Sequence, residues 1–238
     1  MQQDIFRAEE YTMADQASSE ARASFITKTY VHLFGAILAF IGVEALILSL
    51  PVTESLVASV LGIRYGMLLV LAGFMGVSYI ANRWAASDTS VGMQYAGLGL
   101  YVLAEAVFFA PLLYIAANFG GREVIPTAAI LTGCAFTGIT SIVFFTRKNF
   151  SFIGPFLGMV GLVALGLIVC SVVFSFSLGI VFSGAMAVFA GATVLYTTSN
   201  VLHEYRVGQH VAASLALFAS VALLFWYILQ ILMSMSRN

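Results

Sequence analysis

Charged side chains are scarce in this sequence, and that scarcity excludes a soluble globular protein. Only 9% of the 238 residues are Asp, Glu, Lys or Arg, whereas 61% are hydrophobic. A soluble domain carries about 25% charged residues because its surface must face water. So few charges cannot cover a protein of this length, and lipid must surround most of its surface. The formal net charge of -1 offers no basic face, so we expect no nucleic-acid partner.

Sequence patterns of catalytic and metal sites are also missing. Cys134 and Cys170 lie far apart in apolar stretches, which favours two buried apolar residues over a disulfide or a metal site. The HExxH, GxSxG and GxxxxGK[ST] motifs do not occur. Because no aspartate falls in an apolar stretch, an aspartyl intramembrane protease is also disfavoured. We therefore expect a protein that is not an enzyme and that uses no metal or cofactor.

Seven apolar stretches are long enough to cross a lipid bilayer. Crossing the hydrocarbon core takes about 20 apolar residues in a helix that rises about 1.5 Å per residue. The break at 175–177 carries no charge, so a six-span alternative would fuse or drop a span there. Residues 152–201 are too long for one helix, which favours seven spans. We predict these spans at about 25–50, 65–84, 93–118, 124–146, 152–175, 178–201 and 209–234.

The polar residues 1–24 are predicted to form a cytoplasmic tail ahead of a transmembrane domain at 25–238. The tail lacks the basic end and short apolar run of a secretory signal. Cytoplasmic loops of membrane proteins carry an excess of Lys and Arg, and the tail's side of the predicted bundle has that excess. We therefore predict a cytoplasmic N-terminus and, with an odd number of spans, an external C-terminus. The tail's side holds Arg7, Arg22, Lys28, Arg83, Arg147, Lys148 and Arg206, against Arg64, Arg122 and Arg237 opposite.

Two glutamates fall inside predicted spans, where ionisable groups usually face a cavity or a partner. Glu105 lies near the middle of the third span, where an ionised carboxylate costs on the order of 3 kcal/mol. Pro111 frees the carbonyl of Val107 and favours a kink nearby. The structural alternative is a protonated Glu105 bonded to a neighbouring helix, but we favour a role with protons or cations. For Glu44, in the outer part of the first span, a solvated and a functional position both stay open.

Small residues recur at four-residue spacing in the fifth and sixth spans, as helix packing in lipid requires. They are Gly154 and Gly158, and then Ser183, Ala187 and Gly191. This pattern predicts a compact bundle and carries no information about chemistry.

Two segments resemble signatures of the Bax inhibitor-1 family, the transmembrane Bax inhibitor motif proteins. The first is Thr146-Arg-Lys-Asn-Phe-Ser-Phe-Ile-Gly154, and the second is Leu195-Tyr-Thr-Thr-Ser-Asn-Val-Leu-His203, before a final helix that ends Leu-Leu-Phe-Trp-Tyr-Ile-Leu229. The Thr-Ser-Asn before a histidine is most similar to the bacterial YccA-type branch. The residues that carry the resemblance are Arg147, Lys148, Ser151, Phe152, Gly154, Thr198, Ser199, Asn200 and His203.

The resemblance implies an all-α bundle of seven transmembrane helices, six around a central seventh, in a bacterial inner membrane. Members regarded as pH-sensitive calcium leaks use two acids at positions that match Thr197 and Ser220 here. Two neutral hydroxyls cannot share a proton as a carboxylate pair does, which puts that mechanism in doubt for this chain. The YccA-type branch is instead associated with a membrane-anchored AAA+ protease of the FtsH type.

Two functions of different classes follow as hypotheses. The leading one is a membrane protein that modulates such a protease in a stress response, with the polar tail as the contact. The alternative is a pH-sensitive leak for calcium or protons that uses Glu105, with Glu44, in place of the lost acid pair. A small-solute transporter has little support, since no inverted repeat is evident.

Overall fold

A computed structural model describes residues 11–87 and 90–236 of the chain, and within them the architecture is α-helical. Two short 3₁₀ helices, Ser151–Ile153 and Val207–Gln209, precede the sixth and eighth α-helices. The α-helices are α1 (Ser19–Ser49), α2 (Val52–Gly62), α3 (Gly66–Ala85), α4 (Val91–Phe119), α5 (Val124–Thr146), α6 (Gly154–Phe174), α7 (Gly179–His203) and α8 (His210–Ser236).

Seven of these helices are long and apolar enough to cross a membrane, which confirms the predicted seven-span fold. Most predicted boundaries lie within two residues of the observed ones. The exception is α1, which begins at Ser19 and so includes residues 19–24 of the predicted tail. The Ser18 hydroxyl accepts a hydrogen bond from the Ala21 N–H at 3.3 Å, the usual N-terminal cap of a helix. The polar first turn of α1 concealed this start in the hydropathy pattern.

The helix α2 was not predicted, because its residues fall in the break placed between the first two spans. Its 11 residues make a helix roughly 16 Å long, about half the thickness of the hydrocarbon core. The Thr53 hydroxyl donates a hydrogen bond to the Ile47 carbonyl at the end of α1, which fixes the turn between the two helices. This short helix therefore packs beside the spans without crossing.

The last helix, α8, is the central one, as predicted. It packs against α1, α3, α4, α5 and α7, whereas α6 packs mainly against α7. Aromatic rings join α8 to α4: the rings of Phe109 and Trp226 lie 4.8 Å apart, and those of Tyr101 and Phe218 lie 6.1 Å apart. Since α8 is surrounded by other helices, its polar residues face protein, whereas those on the outer helices can face lipid.

The helices α3 and α4 approach each other closely at Gly97. A Cβ atom added there would lie 2.4 Å from the Ala85 nitrogen and 2.6 Å from the Ala81 carbonyl oxygen. The small residues predicted in the fifth and sixth spans behave differently. Gly158 has nothing within 4 Å of an added Cβ, and Gly191 meets only Ile139 at 3.5 Å. Gly154 does serve a close contact, since an added Cβ would lie 2.8 Å from the ring of Tyr196.

Replacing Gly97 with alanine should destabilise the bundle, because the backbone of α3 leaves no room for a methyl group. Overpacking of this kind costs about 1–3 kcal/mol. The matched control is Gly99→Ala on the same helix, where an added Cβ meets nothing within 4 Å. Gly99→Ala should leave stability unchanged or raise it by up to about 1 kcal/mol, since alanine favours helix. Thermal unfolding of both variants in the same detergent tests this, and equal melting temperatures would contradict the close approach.

Candidate functional site

The two segments with family resemblance meet at one end of the bundle, where α1 begins; we call this end the N-terminal side. The Phe150 N–H donates to the Ser199 hydroxyl at 2.7 Å, and the Asn149 amide donates to Glu204 Oε1 at 3.2 Å. Gly154 gives the Tyr196 ring room against the start of α6. These contacts join the α5–α6 turn to the end of α7, so the two segments form one structural unit.

Where these two segments meet, some of the residues that carry the family resemblance are buried and others are exposed. Thr198 and Ser199 are fully buried, and the Thr198 hydroxyl lies near that of Tyr30 on α1. The carbonyl of Asn200 accepts the N–H groups of Glu204 and Tyr205 at 2.8 and 3.1 Å, which ends α7. His203 Nδ1–H donates to the Ser199 carbonyl at 2.9 Å. Arg147, Lys148 and Phe152 are exposed, and Ser151 is half-buried.

The segment before α1 is attached to the same end of the bundle. The Ala14 N–H donates to the Tyr205 carbonyl at 2.9 Å, and the Val207 N–H donates to the Thr12 carbonyl at 3.1 Å. Ala14 is fully buried. We call residues 12–14 and 205–207, paired through Met13 and Arg206, the tail anchor. The anchor fixes where residues 1–10, which lie outside the described residues, join the bundle.

Burial raises the pKa of the Tyr205 phenol in this anchor to about 12, with a smaller contribution from Tyr196. The phenol is therefore neutral throughout the physiological range. Since the anchor itself consists of backbone hydrogen bonds, we expect it to persist unchanged between pH 6 and 9.

A cavity of about 830 Å³ lies inside the bundle between α3, α4, α6, α7 and α8. It extends from Asn82 and Tyr196 towards the N-terminal side to Met67 and Gln230 towards the opposite side. Three of the predicted ion-pathway residues line it together, namely Glu105, Thr197 and Ser220. The structure thus places Glu105 in the wall of the same cavity as Thr197 and Ser220.

Glu105 is nearly fully buried in the wall of this cavity, at 4% exposure. Its Oε2 atom has no hydrogen-bond partner among the described residues. The Tyr101 hydroxyl, one helical turn earlier, interacts with the same carboxyl group. The cavity therefore holds one acidic group with an unused hydrogen-bonding atom.

Thr197 and Ser220 join α7 to the central helix, with their hydroxyl oxygens 2.9 Å apart. Each oxygen also lies within hydrogen-bond distance of a carbonyl on its own helix, Thr193 O at 2.8 Å and Ala216 O at 2.9 Å. Two hydroxyl protons cannot make all three bonds, so one bond is unmade at any moment. The pair can reorient its hydrogen bonds. It carries no charge, however, and it has no acidic proton to release when calcium binds.

Glu44 is buried at 4% exposure rather than solvated, and both of its carboxyl oxygens lack a partner among the described residues. It is not among the residues that line the cavity. The structure therefore does not bring Glu44 together with Glu105.

The partners in two polar contacts of the bundle were not predicted from the sequence. The Ser183 hydroxyl contacts Gln230 Oε1 at 3.1 Å in the cavity wall, and Gln230 gave no signal because one amide in an apolar helix is ordinary. On the N-terminal side, His32 Nε2 accepts from the Tyr95 hydroxyl at 2.8 Å, and its ring lies 5.0 Å from that of His210. Among the described residues, no group of three His, Cys, Asp or Glu is placed to hold a metal ion.

Comparison with known proteins gives a family and several relatives. Residues 22–238 match the family described as inhibitor of apoptosis-promoting Bax1. An uncharacterized protein of Pseudomonas aeruginosa is 27% identical over 229 residues, which is 94% of this chain and 95% of the relative. The Escherichia coli K12 protein named modulator of FtsH protease YccA is 27% identical over 177 residues, 73% of this chain and 77% of the relative. No solved structure matches this chain.

The family match runs from α1 to the end of the chain and includes both motif segments and the central helix. On that evidence, this multi-pass membrane protein belongs to the Bax inhibitor-1 family.

Proposed function

We propose that this chain is a non-enzymatic protein that modulates a membrane-anchored AAA+ protease of the FtsH type, as part of a stress response. The observation that carries the proposal is its similarity to the protein named modulator of FtsH protease YccA, over 73% of this chain. A relative named inner membrane protein YccA, in another Escherichia coli strain, supports a place in a bacterial inner membrane. In that membrane the charge bias favours a cytoplasmic N-terminus and an external C-terminus.

The N-terminal side offers a structured surface for such a contact. The tail anchor, the α5–α6 turn and the end of α7 lie there, linked by the bonds from Asn149 to Glu204 and from Ala14 to Tyr205. The basic side chains of Arg147 and Lys148 stand exposed beside them. An AAA+ protease hydrolyses ATP, so its ATPase domain lies in the cytoplasm, where ATP is available. The N-terminal side and the tail would contact the protease there, on their predicted cytoplasmic side. We therefore assign the protease contact to the N-terminal side and the tail.

Co-purification from mild detergent tests the contact. The sharpest variant lacks residues 2–10, because residues 11–18 include the anchor and the cap of α1. We expect its yield of the protease to fall at least tenfold relative to the full chain at equal expression. As a matched control, Arg64→Ala on the opposite side should leave the yield unchanged. An equal yield with and without residues 2–10 would remove the tail's role, and no protease with either form would remove the proposal.

A second function, a pH-sensitive leak for calcium or protons, is favoured by one observation. Glu105, Thr197 and Ser220 line the same internal cavity, as a pathway through the bundle would require. Against it stands the neutral hydroxyl pair, which leaves Glu105 as the one carboxylate among the described residues that line the cavity. A leak would therefore depend on Glu105 alone.

Flux into proteoliposomes tests this second function. If the leak exists, Glu105→Gln should reduce calcium or proton entry to the level of empty liposomes, because glutamine neither ionises nor releases a proton. Glu54→Gln, at an exposed position of α2, is the matched control and should conduct like the unchanged protein. Equal flux in the unchanged protein, both variants and empty liposomes would eliminate the leak.

A further inference from the structure

The cavity has the composition of a site for an apolar ligand rather than a path for ions. Its wall is formed mostly by aliphatic and aromatic side chains, such as Leu71, Leu165 and Phe182. A volume of about 830 Å³ falls in the range of roughly 300–1,000 Å³ in which small-molecule sites occur. An ion crossing this space would lose its water shell along surfaces that offer few replacement ligands. An apolar molecule would instead gain contacts along the same surfaces.

The charged residue in the cavity wall determines which polar group such a ligand would carry. Among the described residues that line the cavity, Glu105 is the sole carboxylate, and Lys, Arg and His do not occur. Within the described part of the chain its Oε2 atom has no hydrogen-bond partner, so it can accept a hydrogen bond from a molecule in the cavity. A buried carboxylate without a cation is costly, and a protonated amine would offset that cost by both charge and hydrogen bonding.

Aromatic rings next to Glu105 strengthen this choice. Phe108 and Phe109 follow it on α4, and the Phe108 ring is stacked between the rings of Phe74 and Trp226, with ring centroids 4.8 and 4.7 Å away. All four rings line the cavity. Stacking covers both faces of Phe108, so a cation would approach the rings of Phe109 and Trp226, and tryptophan attracts cations most strongly. A carboxylate beside several aromatic rings is a setting suited to an ammonium group and repels an anion.

From this geometry we propose that the cavity binds a lipophilic amine, with its ammonium group on Glu105 and its apolar body along α6, α7 and α8. Access is from the bilayer, between α3 and α6. Both helices line the cavity, but α3 packs mainly against α4 and α6 mainly against α7, so their facing sides are not closed by mutual packing. The proposal is independent of protease modulation, because it concerns the interior of the bundle and not its N-terminal side.

Quenching of Trp226 fluorescence measures this binding directly. The sequence has two tryptophans, and Trp84 is exposed at 39%, so Trp84→Phe leaves the cavity residue as the sole tryptophan. The full chain with this change is placed in lipid nanodiscs and titrated with 12-bromododecylamine or 12-bromododecanoic acid, whose bromine quenches tryptophan. Quencher that only partitions into the lipid gives quenching that rises in proportion to its concentration. Quencher bound at a site in the protein adds a component that saturates.

We expect saturable quenching by the amine and none by the acid. Glu105→Gln should weaken the amine's saturable part at least tenfold. Gly161→Leu should remove that part by occupying the cavity, whereas Gly166→Leu on the same helix, outside the cavity wall, should preserve it. Melting temperatures verify that each variant is folded. Quenching without a saturable part, equal saturation by the acid, or an unchanged affinity in Glu105→Gln would each overturn the proposal.

Discussion

Replacing Val207 with proline should loosen the tail anchor and lower co-purification of an FtsH-type protease by up to about twelvefold. Proline removes the N–H that donates to the Thr12 carbonyl, one of the two backbone bonds that join the segments. Such a bond contributes about 0.5–1.5 kcal/mol, so its loss shifts the equilibrium between attached and released forms by about two- to twelvefold. The site accepts proline otherwise, because Val207 begins a 3₁₀ helix and Arg206 before it is already extended, with φ -78° and ψ 151°.

The matched control is Val207→Ala, which changes the same side chain and keeps the N–H. Hydrogen exchange followed by mass spectrometry should show faster exchange over residues 12–14 in the proline variant and no change in the alanine variant. If exchange accelerates while co-purification stays the same, the anchor is not part of the protease contact. If co-purification rises, a released tail is the better handle and the assigned surface is wrong.

Replacing Glu105 with leucine should stabilise the protein by about 1–3 kcal/mol, the cost of a buried polar atom without a partner. Glu105 is 4% exposed, and its Oε2 atom is unpartnered among the described residues. Leucine has a similar size and would extend the apolar wall of the cavity. Without Glu105, the Tyr101 hydroxyl can bond the nearby Ser78 hydroxyl, which has no hydrogen-bond partner among the described residues. A residue that destabilises the fold at this depth is most simply explained by a function that requires the carboxyl group.

Thermal unfolding of Glu105→Leu and of Glu54→Leu in the same detergent measures this effect. Glu54 is exposed near the start of α2, so its replacement should change stability by no more than about 0.5 kcal/mol. A lower melting temperature for Glu105→Leu would show that the carboxyl group makes favourable contacts in the fold. In that case Glu105 would be a structural residue, and neither a leak nor an amine site would need it.

The sequence predicts the architecture well because length and hydropathy are sufficient to identify a span in lipid. The seven spans and the central position of α8 follow from those patterns and from the family resemblance. The shared location of Glu105, Thr197 and Ser220 required the structure, since periodicity within one helix does not show which neighbour it faces. The burial of Glu44 was missed for the same reason.

The tail anchor and the close approach at Gly97 could not be predicted for a different reason. Both depend on backbone atoms: Ala14 and Val207 donate through their N–H groups, and Gly97 contacts the backbone of α3. Backbone contacts leave no side-chain pattern in a single sequence. Four-residue spacing of small residues is frequent by chance, so it selected Gly158, which has open space around it, and did not indicate Gly97.

The rate at which a reconstituted FtsH-type protease degrades a membrane substrate tests the central claim most directly. The protease is placed in proteoliposomes with this protein, with the form lacking residues 2–10, or alone, at equal protease content and saturating ATP. A modulator predicts a rate with the full protein that differs at least threefold from that of the protease alone, in the restraining direction. The shortened form should restore the rate of the protease alone. Identical rates in all three preparations would contradict the account.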